Sequence, residues 1–152
     1  MKKLFVYFCL LLTLSGCNDE KAHHKGFFHA SLFPCDDKSY TCKSSFNSSL
    51  DKWYVEPIKY TEPANVAHEK LNKIILKNPK ARIIQLNPTY ITAEYKTSLY
   101  VLDIYDDAEF LIMPERQEIH VRIESRSKLP DFGRIHHLIE DMRFKYFQND
   151  FN

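Results

Sequence analysis

Glycine is almost missing from this chain. Three glycines in 152 residues leave no room for a Gly-rich phosphate-cradling loop or a low-complexity repeat. A surplus of charge is missing too: 21 Lys and Arg stand against 20 Asp and Glu, for a formal net charge of +1. A nucleic-acid binder normally carries a marked basic excess, so that class of partner is excluded. No apolar run is long enough to cross a bilayer. The one at Leu4 to Leu14 falls short of the ~20 residues a spanning helix requires. No Gly-x-Ser-x-Gly elbow presents a nucleophilic serine. The histidines and cysteines follow no zinc-ligand spacing, so neither a metal nor a cofactor is expected.

What the chain does have begins at its first residues. Met1-Lys2-Lys3 is a short basic start, and the apolar run after it suits a signal peptide over residues 1–16. Leu14-Ser15-Gly16-Cys17 then has the form of a bacterial lipobox. Cleavage before Cys17 and its acylation, with palmitate among the chains, would attach a lipoprotein to the membrane of the cell envelope. An ordinary secretory signal followed by a chance cysteine is the plainer alternative. Asn18 is not the aspartate associated with inner-membrane retention, so the outer membrane facing the periplasm is the expected address. Residues 17–32 read as a lipidated, flexible tether, 33–148 as one domain and 149–152 as a tail. A chain of this length holds a modest core.

Four cysteines then sort by fate. Cys9 leaves with the leader and Cys17 takes lipid, so Cys35 and Cys42 remain. In an oxidising compartment two close thiols read as a disulfide. A redox-active pair is the sharper alternative, although the spacing is not C-x-x-C. His23, His24 and His29 lie ahead of Cys35, where a solvated linker accounts for them without a metal.

Periodicity supplies the elements. Residues 33–53 look loop-like, and Val55-Glu56-Pro57-Ile58 is a short extended piece that Pro57 confines to an edge. A helix starts near Glu62-Pro63, buries Ala67, Leu71, Ile74 and Ile75, and closes at Asn78-Pro79. Strands are predicted over Arg82 to Leu86 and Tyr90 to Lys96. Leu99 to Met113 is either one bent strand or two separated by a turn or bulge at Asp106-Asp107. Ile119, Val121 and Ile123 alternate along the last strand, whose other face carries His120, Arg122, Glu124 and Arg126, too many charges for a buried surface. Asp131 is placed to cap a final helix that buries Ile135, Leu138, Ile139, Met142 and Tyr146. The expected fold is α+β: one two-layer domain, an antiparallel sheet of about four strands with two helices on one face.

From Pro34 to about Phe147 the sequence resembles the bacterial and plastid family called domain of unknown function 1499. Cys35, Cys42, Ser44 and Ser45 reproduce its two close cysteines followed by Ser-Ser. Val55-Glu56-Pro57-Ile58 is similar to its Val-x-Pro-(Leu/Ile), Tyr90 to Tyr95 to its Tyr-x-x-Ala-Glu-(Phe/Tyr), and Asp106 to Phe110 to its Asp-Asp-x-Glu-Phe. Ile119 to Arg122, Ser125-Arg126 and Asp131-Phe132-Gly133 complete the match, with Glu140 and Arg143 beyond. The prolines usual between the cysteines are absent, and Ile135 to Leu138 replaces a basic cluster of the relatives. The family has no agreed activity, so the resemblance implies a fold and leaves function open.

The chemistry-bearing candidates are Glu94, Asp107, Arg122, Ser125 and Arg126. On an open sheet face Glu94 and Arg122 would form a cross-strand ladder, worth tenths of a kcal/mol to about 1 kcal/mol per pair. Alternatively, Arg122 and Arg126 grip a carboxylate or phosphate, as guanidinium groups do in bidentate fashion. A Ser125–histidine pair lacks a visible oxyanion hole. The expectation is a lipid-anchored envelope protein with a non-catalytic binding or scaffolding domain. Its partners would be the membrane and an envelope protein or small anionic ligand. An envelope hydrolase or anionic-ligand enzyme on the Arg122/Glu94/Ser125 face is the alternative.

Overall fold

The computed structural model describes residues 22, 24–99 and 102–148. The leader 1–16, Cys17, Asn18, His23 and the tail 149–152 lie outside the described residues. The elements run β1 (Phe27–Phe28), β2 (Ser31–Leu32), β3 (Cys42–Ser44), β4 (Ile58–Lys59), α1 (Ala64–Lys77), β5 (Ala81–Asn87), β6 (Tyr90–Leu99), β7 (Leu102–Met113), β8 (Glu118–Ser125) and α2 (Arg134–Phe147).

The two helices follow their sequence signals. Pro63 sits just ahead of the first turn of α1, and its carbonyl accepts the Ala67 N–H at 3.0 Å. Ala67, Leu71, Ile74 and Ile75 then form one buried stripe, and Asn78 ends the helix with extended backbone. Ahead of α2, Asp131 accepts the Ile135 N–H at 3.2 Å and the Gly133 N–H at 3.3 Å. Gly133 takes φ +83 there, a left-handed conformation that glycine adopts without strain. Ile135, Ile139, Met142 and Tyr146 are buried as expected, whereas Leu138 is a half-buried rim residue.

The main sheet has six strands rather than about four, in the order β3-β8-β7-β6-β5 with β4 also paired to β8. Of the extra strands, β3 comes from the segment that reads as loop, and β4 begins at Ile58, the last residue of the expected extended piece. At three and two residues, β3 and β4 are too short to show a period-2 pattern, and pairing with β8 alone defines them. Leu102–Met113 is one strand, paired in register with β6 and β8 through Asp106-Asp107, with neither turn nor bulge there.

Both helices lie on one face of this sheet. Ile91, Ala93, Ala108, Phe110, Val121 and Ile123 meet α1 and α2 in a single apolar cluster. Burying each large aliphatic or aromatic side chain is worth roughly 1.5–3 kcal/mol, which makes this layer the main source of stability. The other face is not open, contrary to the expectation from its charges. From Ile119 to Ser125 every residue of β8 is buried.

The cover on that second face is the N-terminal segment. Residues 24–32, expected within the tether, pack on the sheet instead, and β1 and β2 pair as a hairpin. Leu32, Tyr90 and Leu111 form a second small core, with Phe46 and Met113 at its edge. The hairpin turn places His29 at φ 49 and Ala30 at φ 57. Two central residues at positive φ are what a two-residue hairpin turn requires, and without glycine they cost on the order of 1–2 kcal/mol each. A disulfide joins Cys35 to Cys42 and closes the cover onto β3.

The disulfide's effect can be measured. Its loop has a sequence separation of 7, for which loop-closure entropy gives about 2–3 kcal/mol. Cys35→Ser/Cys42→Ser should lower the unfolding free energy in urea by that amount while leaving the far-UV spectrum of the sheet and helices intact. An unchanged urea midpoint would show that the cover is held without it.

Candidate functional site

The charged residues of the second face are stacked by strand register. In one row Arg122 lies opposite Glu109, which lies opposite Thr92. In the next, Glu124, Asp107, Glu94 and Arg82 follow one another across β8, β7, β6 and β5. Three carboxylates side by side repel, so this second row exists only because guanidinium groups reach it from neighbouring positions. Arg126 Nη2 donates to Glu94 at 2.6 Å and to Asp107 at 2.7 Å, and its Nε donates to Asp107 at 2.9 Å. Arg82 adds a bond to Glu94 at 3.1 Å from the exposed edge. Arg122 reaches along its own strand to Glu124.

Arg122 is the centre of the cluster. Its side chain is 0% exposed, as is that of Glu109, to which Nη1 donates at 2.9 Å. Glu109 also accepts the Tyr90 hydroxyl at 2.6 Å and the Gly26 N–H at 2.7 Å. Four carboxylates (Glu94, Asp107, Glu109, Glu124) thus face three guanidinium groups (Arg82, Arg122, Arg126). The cover supplies further compensation: the Gly26 amide, and His24, whose Nε2 lies 3.6 Å from Asp107. Burial, reinforced by the Glu109 carboxylate, pushes the Tyr90 phenol well up, so Tyr90 remains a proton donor. Hydrogen bonds to Asp107, with smaller help from Glu94, raise Arg126 above the ordinary guanidinium range and keep it charged.

The sequence candidates therefore separate. Glu94, Asp107 and Arg126 are brought into direct contact. Arg122 lies in the adjacent row, bonded to Glu109 and Glu124 and not paired with Glu94 as expected. Ser125 belongs to the opposite face, level with Asp106. There Arg134 of α2 forms an ion pair with Asp106 and approaches the Ser125 hydroxyl at 3.5 Å. Glu109 and Tyr90 were not singled out from sequence. The available signal was spacing: Glu109 is two residues from Asp107 and so shares its face.

A groove opens at the C-terminal end of β8, beside this network. It encloses about 790 Å³ between residues 36–41 and 124–128. Lys25, Lys38 and Lys128 stand on its wall with Arg126, against Asp36 and Glu124. At the other end of β8, His120 is buried with Nδ1 3.0 Å from Ser45 Oγ and Nε2 3.1 Å from Glu118. Burial lowers its pKa, with Glu118 acting in the opposite sense. Among the described residues no group of three or more His, Cys, Asp or Glu is placed to hold a metal ion. No helix among them is long and apolar enough to cross a membrane.

Two measurements follow from this geometry. Removing one partner of a fully buried ion pair strands the other charge, at a cost of roughly 3–5 kcal/mol. Arg122→Met should therefore lower the unfolding free energy in urea by that amount, far beyond the ~1 kcal/mol of an exposed pair; a smaller loss would mean that water reaches Glu109. The second concerns pH. Because the folded state resists protonating His120, its contribution is fully present above the ordinary histidine range and is lost as pH falls through that range and below it. His120→Gln should flatten that part of the stability profile, and a steeper profile would reveal a charged histidine paired with Glu118.

Comparison with known proteins adds two matches and two blanks. No curated protein matches the chain. No solved structure matches it either. Residues 1–18 match the prokaryotic membrane lipoprotein lipid attachment site, which makes this a membrane-anchored bacterial lipoprotein. Residues 31–145, about three quarters of the chain, match a single family and take in the disulfide, the charged rows and both helices. The chain belongs to the family described as Protein of unknown function (DUF1499).

Proposed function

We propose that this lipoprotein, acylated at Cys17 and facing the periplasm, is a non-catalytic binding module whose groove takes a small ligand through its carboxylate or phosphate groups. The observation that carries this reading is the wall of the 790 Å³ groove, where Lys25, Lys38 and Lys128 surround Arg126. Ammonium groups on mobile stems bind an anion as point charges. Arg126, fixed by Asp107 and Glu94, stiffens the floor beneath those lysines. The ligand thus meets a basic rim over a rigid floor.

A hydrolase built on Arg122, Glu94 and Ser125 would need the three to converge. Their partners argue against it. Arg122 is closed on Glu109 and Glu124, and Glu94 is held by Arg126 and Arg82. The Ser125 hydroxyl meets the Tyr105 carbonyl and the Ser127 N–H, neither of which can take its proton.

Calorimetric titration of the full-length lipoprotein in lipid nanodiscs with inorganic phosphate and with succinate tests the reading. Saturable binding that weakens with salt is expected. Lys38→Glu/Lys128→Glu should weaken it about tenfold, since each charge-assisted contact is worth roughly 1.5–3 kcal/mol and is shared among several groups, with the urea midpoint unchanged. Binding that survives the double reversal would locate the anion elsewhere, and no binding of either anion at millimolar concentration would overturn the proposal.

A further inference from the structure

The hairpin that covers the charged face also carries an apolar surface of its own. Phe28, paired with Ser31, is 65% exposed on the outer side of the hairpin, whereas Phe27, 46% exposed, pairs with Leu32 and shares the side that buries Leu32 against Tyr90 and Leu111. The Phe27 ring leans on Tyr90 at a centroid distance of 4.9 Å, and the Phe28 ring meets His29 at 3.9 Å. Phe33, 41% exposed, follows directly. The turn between the strands holds His29 and Ala30 at positive φ, so Phe28 is presented beside a tight turn under local strain. Strain of this kind persists where surrounding contacts impose it, and it clusters at sites that bind.

The position of this hairpin along the chain identifies what covers it. Gly26 is fixed to the domain through its bond to Glu109, and His24 lies against the Ala93 carbonyl at 3.4 Å. From Cys17 to His24 is only seven residue steps, which span at most roughly 25 Å even when fully extended. Phe28 follows four residues later in the chain. An acylated Cys17 therefore keeps the Phe28 ring within a short reach of lipid, with Lys25 nearby in the chain to meet headgroup phosphates.

We propose that the β1–β2 hairpin docks on the bilayer that anchors the protein, seating Phe28 at the level between headgroups and acyl chains. This rests on Cys17 being the acylated residue. The acyl chains already supply the affinity, so the hairpin supplies orientation. It converts a domain swinging on a string into one held at a fixed angle. Lys25 lies at the base of the hairpin and on the wall of the groove, so docking turns that wall toward the membrane surface.

Orientation is the quantity to read, since partition into membranes is dominated by the lipid. In the full-length protein, Trp53→Phe removes the only tryptophan, and Phe28→Trp places a reporter at the tip. The protein is reconstituted into phosphatidylethanolamine/phosphatidylglycerol vesicles, with mass spectrometry confirming acylation of Cys17. The expected result is a blue-shifted emission that loses most of its intensity when the lipids are brominated near the top of the acyl chain. Adding Lys25→Glu, which sets a carboxylate against the anionic headgroups, should reduce that quenching several-fold with no change in detergent-phase partition. Emission characteristic of water, unquenched in an acylated protein, would overturn the proposal. So would a blue shift that grows with protein-to-lipid ratio without bromolipid quenching, because a second copy would then be the cover. A mature protein without acyl mass on Cys17 would overturn the anchor and, with it, the docking that depends on its reach.

Discussion

A guanidinium group sealed from water must be met by carboxylate, and Arg122 imposes that requirement on everything around it. Its partner Glu109 is on the next strand, so the pairing of β7 with β8 has one acceptable register. A slip of one residue would turn Arg122 into the apolar cluster under the helices. Glu109 has further lone pairs to satisfy, and these draw in Tyr90 from β6 and the Gly26 amide from the segment that precedes the first strand. One buried pair thereby links three strands and the cover. Such a pair adds little net stability over an apolar replacement, but it is costly to break, and here it specifies how the layers meet.

The two faces of the sheet divide the work. The helix face is filled by aliphatic and aromatic side chains and carries a single ion pair of note, Asp106 with Arg134. The covered face is a polar network with a small apolar core at one end. Because the network spends its carboxylates and guanidinium groups on one another, chemistry with outside molecules is left to its margins. There lysines and half-exposed groups remain at the groove, and aromatic rings remain at the hairpin.

Much of this architecture was legible in the sequence. Period-2 alternation named Ile119, Val121 and Ile123 as core, and period-3.6 stripes named the buried sides of both helices. The cysteines announced their bond through their compartment, and the capping role of Asp131 followed from its place before an apolar stripe. What alternation does not reveal is whether the second face of a sheet is covered. Arg122 and Glu124 were correctly assigned to one face, and that face was expected to be wet. The layer over it consists of two strands of two residues each and a polar linker, none long enough to leave a periodic trace. Glu109 was missed for the same reason. Its importance lies in the residues it touches across strands and in the cover, and register, which sequence spacing supplies only within a strand, decides those contacts.

The bond between Gly26 and Glu109 spans 83 positions of the chain. The segment made first at the ribosome is thus the last to find its place, because its acceptor does not exist until β7 has been synthesised and paired. Contacts of such high sequence separation slow folding, since loop closure must precede any gain from them. The charged face is therefore closed late, after the sheet beneath it has formed.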